Sequence, residues 1–214
     1  MKKGKSTFGM TVALDHGILK CISTDTVRAV MRSFVPKEVS PALHRSSYAA
    51  AYTDDNAVRS WKETCSVLDA SVEGLVEDAI NRRVSLVVEG VHIIPSKRLI
   101  EKWEESGGVA LGVLLQVQDA DVHKGLLTRR GFTTGKISAE QKKIGSYDRI
   151  REIQEEMMRL AKESGWLQIE QKTQPDPLEL VTMKLFDDGK DAKTEEKDVK
   201  ENIVFSSIPT ETVG

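Results

Sequence analysis

Gly4-Lys5-Ser6-Thr7 is the stretch around which the rest of this sequence is organised. It matches the end of the phosphate-binding loop G-x-x-x-x-G-K-[ST], with one further hydroxyl residue. In such a loop, backbone N–H groups and a helix N-terminus surround phosphate oxygens, the lysine reaches the β- and γ-phosphates, and the hydroxyl binds Mg²⁺. The tetrapeptide therefore predicts that Gly4, Lys5, Ser6 and Thr7 bind a nucleotide and that Ser6 is a metal ligand.

The motif is incomplete in this sequence. Only Met1, Lys2 and Lys3 precede Gly4, so the first glycine of the motif and the strand that normally leads into the loop are missing. A Gly-Lys-[Ser/Thr] triplet also arises by chance, and the alternative is a basic N-terminal segment that binds nothing. The residues that follow have to decide between the two.

Composition limits the classes of protein that fit. The 214 residues are 39% hydrophobic and 30% charged, which is typical of a soluble α/β domain with a short tail. The net charge of −2 argues against general nucleic-acid binding, and no stretch has the length and apolarity of a membrane span. Cys21 and Cys65 have neither metal-ligand nor disulfide spacing, so we expect a reducing, cytoplasmic location.

Apolar periodicity predicts alternating helices and strands. Helices are expected at 6–19, 26–34, 57–83, 96–106, 119–130, 146–164 and 176–185, and strands at 19–23, 84–92, 109–117 and 166–169. This alternation is typical of a parallel sheet covered by helices on both faces. We expect one domain over 1–185, an irregular segment at 35–56 above the substrate cleft, and a charged, disordered tail over 186–214.

Charged residues follow the first predicted strand. Asp25 stands where that strand gives way to a helix, and Arg28 and Arg32 lie one turn apart on that helix. Since ligands bind at the carboxyl ends of strands in open α/β sheets, we expect Asp25 to orient or deprotonate an acceptor hydroxyl. The two arginines would bind anionic groups of the acceptor. The alternatives are an ordinary helix cap and a solvated helix face.

The strongest strand ends in Glu89-Gly90-Val91-His92. An apolar strand that ends in a carboxylate resembles the strand that holds Mg²⁺ or its water in nucleotide hydrolases and kinases. The prediction is that Glu89 is a metal ligand; the alternative is a glutamate facing solvent. His92 is either a substrate contact or a core or capping histidine.

Arg129 and Arg130 end a predicted helix just before a polar segment, 131–146, that contains glycines and has the character of a lid. We expect these arginines to approach the phosphoryl group being transferred. The alternative is the usual preference of cations for a helix C-terminus. His44, Arg45 and Tyr48 in the irregular segment are either substrate contacts or ordinary loop residues.

Three segments carry a family resemblance: Gly4–Thr7, residues 22–32 and residues 87–92. They resemble 2-phosphoglycerate kinase-like P-loop proteins, and within that group the plant P-loop NTPase proteins linked to phytic acid accumulation. The resemblance implies a three-layer, adenylate-kinase-like P-loop NTPase fold with a parallel sheet of order 2-3-1-4-5. It also implies ATP and Mg²⁺ as cofactors and phosphoryl transfer to a small phosphorylated metabolite, with inositol phosphates as one possibility.

The sequence departs from that family where the first strand should precede Gly4. In the order 2-3-1-4-5 that strand is central, and its absence would leave buried amides of both neighbours unpaired, at about 1–3 kcal/mol each. We therefore expect either a truncated chain or a sheet that closes imperfectly. We also expect that this chain alone binds Mg-ATP weakly and is inactive. The alternative function is a non-catalytic nucleotide-binding or regulatory protein with a degenerate loop.

Overall fold

The computed structural model describes residues 5–51, 56–126, 146–170, 175–193 and 201–207. The helices in these ranges are α1 Lys5–Asp15, α2 Thr24–Arg32, α3 Pro41–His44, α4 Ala57–Arg82, α5 Arg98–Glu104, α6 Tyr147–Glu163 and α7 Pro177–Lys193, with a further helical segment at 120–126. The strands are β1 Lys20–Ser23, β2 Leu86–Gly90, β3 Val109–Gln116, β4 Leu167–Glu170 and β5 Glu201–Ser207. None of the helices in the described ranges has the combination of length and apolar character that crossing a bilayer requires.

The predicted alternation of helices and strands is present, with the ends shifted by a few residues. At α2 the shift has a clear cause, because Ser23 and not Thr24 or Asp25 is the N-cap. The Ser23 hydroxyl accepts a hydrogen bond from the Asp25 backbone N–H at 3.2 Å. Asp25 therefore lies inside the first helical turn, where its negative charge interacts favourably with the helix dipole.

Within the described residues, the sheet contains five parallel strands in the order β1-β2-β5-β3-β4. β5 pairs with β2 on one side and with β3 on the other, and Val204 lies opposite both Val88 and Gly112. The central strand thus comes last in the chain, and the order 2-3-1-4-5, in which the central strand comes first, is not confirmed.

Two expectations are wrong at this point. Residues 201–207 were assigned to a tail expected to be disordered, and an imperfectly closed sheet was one of two alternatives for the missing strand; instead, β5 makes the sheet continuous across its centre. The physical reason is that β2 and β3 each present an edge of backbone groups that need partners, and Ile203-Val204-Phe205 has strong strand propensity. The predicted tail also contains the end of α7, which runs to Lys193. Residues 194–200 and 208–214 lie outside the described residues.

Helices pack on both faces of the sheet. One apolar cluster joins α4, α5 and α6 to the sheet and includes Trp61, which is fully buried as predicted. The other cluster, which includes Phe8 and Val12, joins α1 and α7 to the opposite face. Side chains of β2 alternate between the two, with Val88 in the first cluster and Val87 in the second.

The strand order defines where a ligand is expected. From β1 to β4 the chain crosses the sheet in one direction and skips the position between β2 and β3, and it returns to that position for β5. In open parallel sheets, ligands bind in a crevice at the carboxyl ends of the strands. In this fold, the residues that end β2 and β3 flank that crevice.

Gly112 in β3 packs directly under the Trp166 indole. A Cβ atom at this position would lie 2.3 Å from Cδ2 and 2.4 Å from Cε2 of Trp166. We therefore expect Gly112→Ala to lower the free energy of unfolding by about 1–3 kcal/mol through overpacking. The matched control is Gly74→Ala in the interior of α4, where nothing lies within 4 Å, and where alanine should be neutral or stabilise by about 0.5–1 kcal/mol. Chemical denaturation of both variants measures the difference, and equal stabilities would contradict the packing described.

The central position of β5 predicts that a proline there affects the whole sheet. Val204→Pro removes a backbone donor in a strand paired on both sides, which leaves a buried partner unsatisfied at about 1–3 kcal/mol and adds a steric conflict. Val204→Ile retains the donor and the β-branched shape and serves as the control. Denaturant midpoints should fall sharply for the proline variant alone. A proline variant as stable as the isoleucine variant would show that β5 is not central.

Candidate functional site

The start of α1 lies over the carboxyl end of β2. A Cβ atom on Gly9 would lie 3.4 Å from Cβ of Glu89 and 3.8 Å from Cγ1 of Val87, so the early turns of α1 contact these two residues. Lys5 is the first residue of α1, and the N–H groups of that first turn have no partner within the helix. Gly4 and the side chains of Lys5, Ser6 and Thr7 lie outside the described part of the structure.

Glu89 faces the interior on the α1 side of β2. Its side chain is only 4% exposed, and no described residue donates a hydrogen bond to its Oε2 atom. The solvent-facing alternative is therefore wrong. Burial raises the pKa of the neighbouring Cys21 thiol, and the negative charge of Glu89 raises it further. A buried carboxylate oxygen without a donor needs a cation or a donor to offset its desolvation.

The chemistry of Glu89 suits a metal ion held jointly with a ligand. Within the described residues, no group of three or more His, Cys, Asp or Glu side chains could hold a metal by itself. Mg²⁺ is usually bound by one or two protein groups together with substrate phosphates and water. One buried carboxylate beside a helix N-terminus fits this pattern better than an all-protein metal site.

The start of α2 touches the end of β2 on the other side of the crevice. Thr24 is fully buried, and a Cβ atom on Gly90 would lie 1.7 Å from Oγ1 of Thr24, so only glycine fits. Gly90 also has φ +148°, a conformation that side chains other than hydrogen disfavour. Asp25, next in sequence, has a side chain one-quarter exposed, and its Oδ1 atom lies 3.5 Å from Nδ1 of His92. The predicted Asp25 and His92 are thus brought together.

Arg28 and Arg32 both reach the 41–48 segment. Nε of Arg28 donates to the Leu43 carbonyl at 2.9 Å, and Nε of Arg32 donates to the same oxygen at 2.8 Å. Arg28 also donates from Nη2 to the Arg45 carbonyl and is only 3% exposed, so a solvated face is wrong for this residue. Anion binding by the two arginines stays a prediction.

His44, Arg45 and Tyr48 also form hydrogen bonds with other parts of the protein. The His44 ring contacts the Val35 carbonyl at 2.7 Å, and Nη2 of Arg45 donates to the Ser60 carbonyl and the Glu63 carboxylate, both at 2.9 Å. Tyr48 is buried, and its carbonyl accepts from Nε of Arg149 at 2.9 Å. These contacts fix the 41–48 segment against α4 and α6.

Two polar residues near the end of β3 were not identified from the sequence. Gln116 ends β3 with 5% exposure, and its Oε1 atom has no hydrogen-bond partner in the described ranges. His123 is buried, and burial, followed by the charge of Arg151, lowers its pKa to about 4. For Gln116, the sequence feature that indicates such a position is a single polar residue at the end of the otherwise apolar run VALGVLLQ. Arg129, Arg130 and nearly all of the predicted lid, 131–145, lie outside the described residues.

A cavity of about 260 Å³ opens beside His92, between α4 and the residues that follow β2. Its polar lining includes Asp69, Ser96 and Arg98. Arg98 is already bound to Asp69 and Glu73, each at 2.5 Å. Cys65 also lines the cavity, and burial raises the pKa of its thiol, which disfavours the reactive thiolate form.

The chain is similar to several proteins named 2-phosphoglycerate kinase. It is 30% identical over 166 residues to the protein of Methanopyrus kandleri, covering 75% of this chain and 50% of that one. Identity is 35% over 130 residues with the protein of Methanothermobacter thermautotrophicus, or 57% of this chain and 42% of that one. With the protein of Methanocaldococcus jannaschii it is 27% over 169 residues, or 76% and 53%. No family model and no solved structure matches.

All three are named 2-phosphoglycerate kinase, and these identities support a 2-phosphoglycerate kinase-like family. The chain spans about half the length of the curated relatives it matches. The narrower resemblance to plant proteins linked to phytic acid is not shown by them.

Proposed function

We propose that the chain carries the ATP site of a kinase that phosphorylates a small phosphorylated acid of the 2-phosphoglycerate type. The observation that supports this most directly is the buried Glu89 carboxylate, which lies against the early turns of the helix that begins at Lys5. The names of the relatives support the same reaction class. A site of this kind works mainly by positioning its substrates and by neutralising charge.

The nucleotide would bind at the N-terminal turn of α1. Backbone N–H groups from Gly4 to Thr7 would contact phosphate oxygens, and Lys5 would neutralise the β- and γ-phosphates. Ser6 and Glu89 would hold Mg²⁺ and its waters. When bound, the metal would offset the charge on the phosphates. The position of Glu89 near the carboxyl end of β2, the end at which open parallel sheets bind ligands, supports this location.

The acceptor would bind between α2 and the residues that follow β2. Its hydroxyl oxygen would attack the γ-phosphorus, the bond from that phosphorus to the bridging oxygen of ADP would break, and the hydroxyl proton would pass to Asp25. Arg28, Arg32 and His92 would form the acceptor side of the site. Arg129 and Arg130 would offset charge on the transferred group.

Removal of the Lys5 ammonium should abolish transfer. We expect Lys5→Ala to lower turnover by about 10²-fold or more, since it removes charge placed at the transferring group. Lys3→Ala removes the same charge at a variable position of the motif and should leave turnover unchanged. The assay follows phosphoryl transfer from ATP to 2-phosphoglycerate, 3-phosphoglycerate and a set of inositol phosphates, and calorimetry measures ATP affinity separately.

Each outcome of that assay has a definite meaning. Transfer to 2-phosphoglycerate that depends on Lys5 supports the proposal. ATP binding without transfer to any acceptor would contradict it and favour the non-catalytic alternative. The weak binding expected from the sequence rests on the missing strand and turn before Gly4, because ordering the residues that remain there would consume binding energy. Calorimetry of the wild-type chain tests that expectation, and micromolar affinity for ATP would contradict it.

Glu89 should account for the Mg²⁺ dependence of nucleotide binding. In titrations of ATP with and without Mg²⁺, we expect the wild-type protein to gain affinity from the metal and Glu89→Gln to lose about tenfold or more of that gain. The control is Glu63→Gln, which removes a carboxylate that is 40% exposed and paired with Arg45 away from α1. Equal Mg²⁺ dependence in wild type and Glu89→Gln would exclude Glu89 as a metal ligand.

A further inference from the structure

We propose that His92 is a positioning residue that fixes the acceptor half of the site and does not itself contact the substrate. The expected effect of His92 on phosphoryl transfer rests on the proposed function. The role of His92 in holding α2 and the 41–48 segment rests on the contacts in the structure alone. It assigns to His92 a task different from the substrate contact considered from the sequence.

Both ring nitrogens of His92 are occupied by protein groups. The residue is only 2% exposed. Its Nδ1 atom lies 3.2 Å from Oγ1 of Thr24 and 3.5 Å from Oδ1 of Asp25. Its Nε2 atom lies 2.9 Å from Oγ of Ser47 and 3.2 Å from Nη1 of Arg28. The ring therefore lies at the centre of a polar cluster, and a ligand would have to displace one of these groups to bind either ring nitrogen.

The groups that contact His92 determine which of its two ring nitrogens carries the hydrogen. The Arg28 guanidinium can only donate, so the Nε2 atom that faces it must present its lone pair. The hydrogen of the neutral ring is then on Nδ1 and points toward the Thr24 hydroxyl and the Asp25 carboxylate. A hydrogen on Nε2 would instead face the arginine cation, which is unfavourable.

These contacts connect three separate parts of the chain. On its Nδ1 side, His92 holds the first turn of α2, which includes the Asp25 carboxylate. On its Nε2 side, it holds Ser47 directly and the 41–48 segment through Arg28, whose Nε and Nη2 atoms bind the carbonyls of Leu43 and Arg45. One ring thus orients the proposed proton acceptor and the segment above it. Such fixed orientation is worth about 10²-fold in rate when it is lost.

Substitution of His92 by asparagine or glutamine replaces the contacts of only one ring nitrogen. The amide of His92→Asn reaches about as far as Nδ1, and the amide of His92→Gln reaches about as far as Nε2. His92→Ala removes both.

In the wild type, hydrogen exchange without ligand should show the 41–48 amides protected. We expect exchange there to accelerate about tenfold in His92→Ala and His92→Asn, which is the loss of one hydrogen bond of about 1.4 kcal/mol, and His92→Gln to restore protection.

Kinetics provide the second readout. We expect His92→Ala to lower kcat by about 10²-fold and to raise KM for the acceptor, while KM for ATP stays unchanged because α1 packs on the opposite face of the sheet. His16→Asn, at the end of α1 and beside Thr182, is the matched control and should change neither quantity. Amides of β3 serve as the reference for global unfolding in every variant.

The outcomes separate this inference from the proposed function. If the wild-type protein transfers no phosphoryl group, the proposed function fails, but the exchange measurement still tests the positioning role. If exchange over 41–48 is the same in wild type and His92→Ala, the positioning role is wrong. A large rise in acceptor KM with unchanged exchange and kcat would identify His92 as a substrate contact and would also overturn the inference.

Discussion

Backbone pairing of β5 with β2 and β3 is the interaction on which the rest of the structure depends. Without it, the sheet would separate into two pairs of strands, and the N–H and C=O groups along the inner edges of β2 and β3 would need other partners. These edges are fully buried, so water cannot replace the missing strand. The pairing also places the carboxyl ends of β2 and β3 on either side of one crevice.

The two faces of the sheet divide the proposed reaction between them. Glu89 points toward α1, where a nucleotide would bind, and the next residue, Gly90, packs against Thr24 at the start of α2. Two consecutive residues of one strand therefore contact both halves of the site. Because side chains of a strand alternate between faces, this arrangement needs no loop movement to bring the halves together.

Sequence patterns were sufficient for the local structure and for part of the site. Periodicity predicted α4 and β3 nearly to the residue, and the apolar run before Glu89 identified β2. The placement of β5 could not be predicted, since a short strand in a charged region pairs according to which edges are open elsewhere in the fold. The hydrogen bonds from Arg28 to backbone carbonyls could not be predicted from the sequence either. Spacing along a helix shows which face a side chain occupies, but it does not show which residues pack against that face.

The late position of β5 in the chain has a consequence for how the protein folds. Its partners β2 and β3 end at residues 90 and 116, and β5 begins only at residue 201, so the contacts that complete the sheet are strongly non-local. Closing such long loops is entropically costly and slows folding. During synthesis, β2 and β3 emerge well before their shared neighbour, with unpaired edges exposed to other chains. We therefore expect the yield of folded protein to depend on chaperones and on translation rate more than its size suggests.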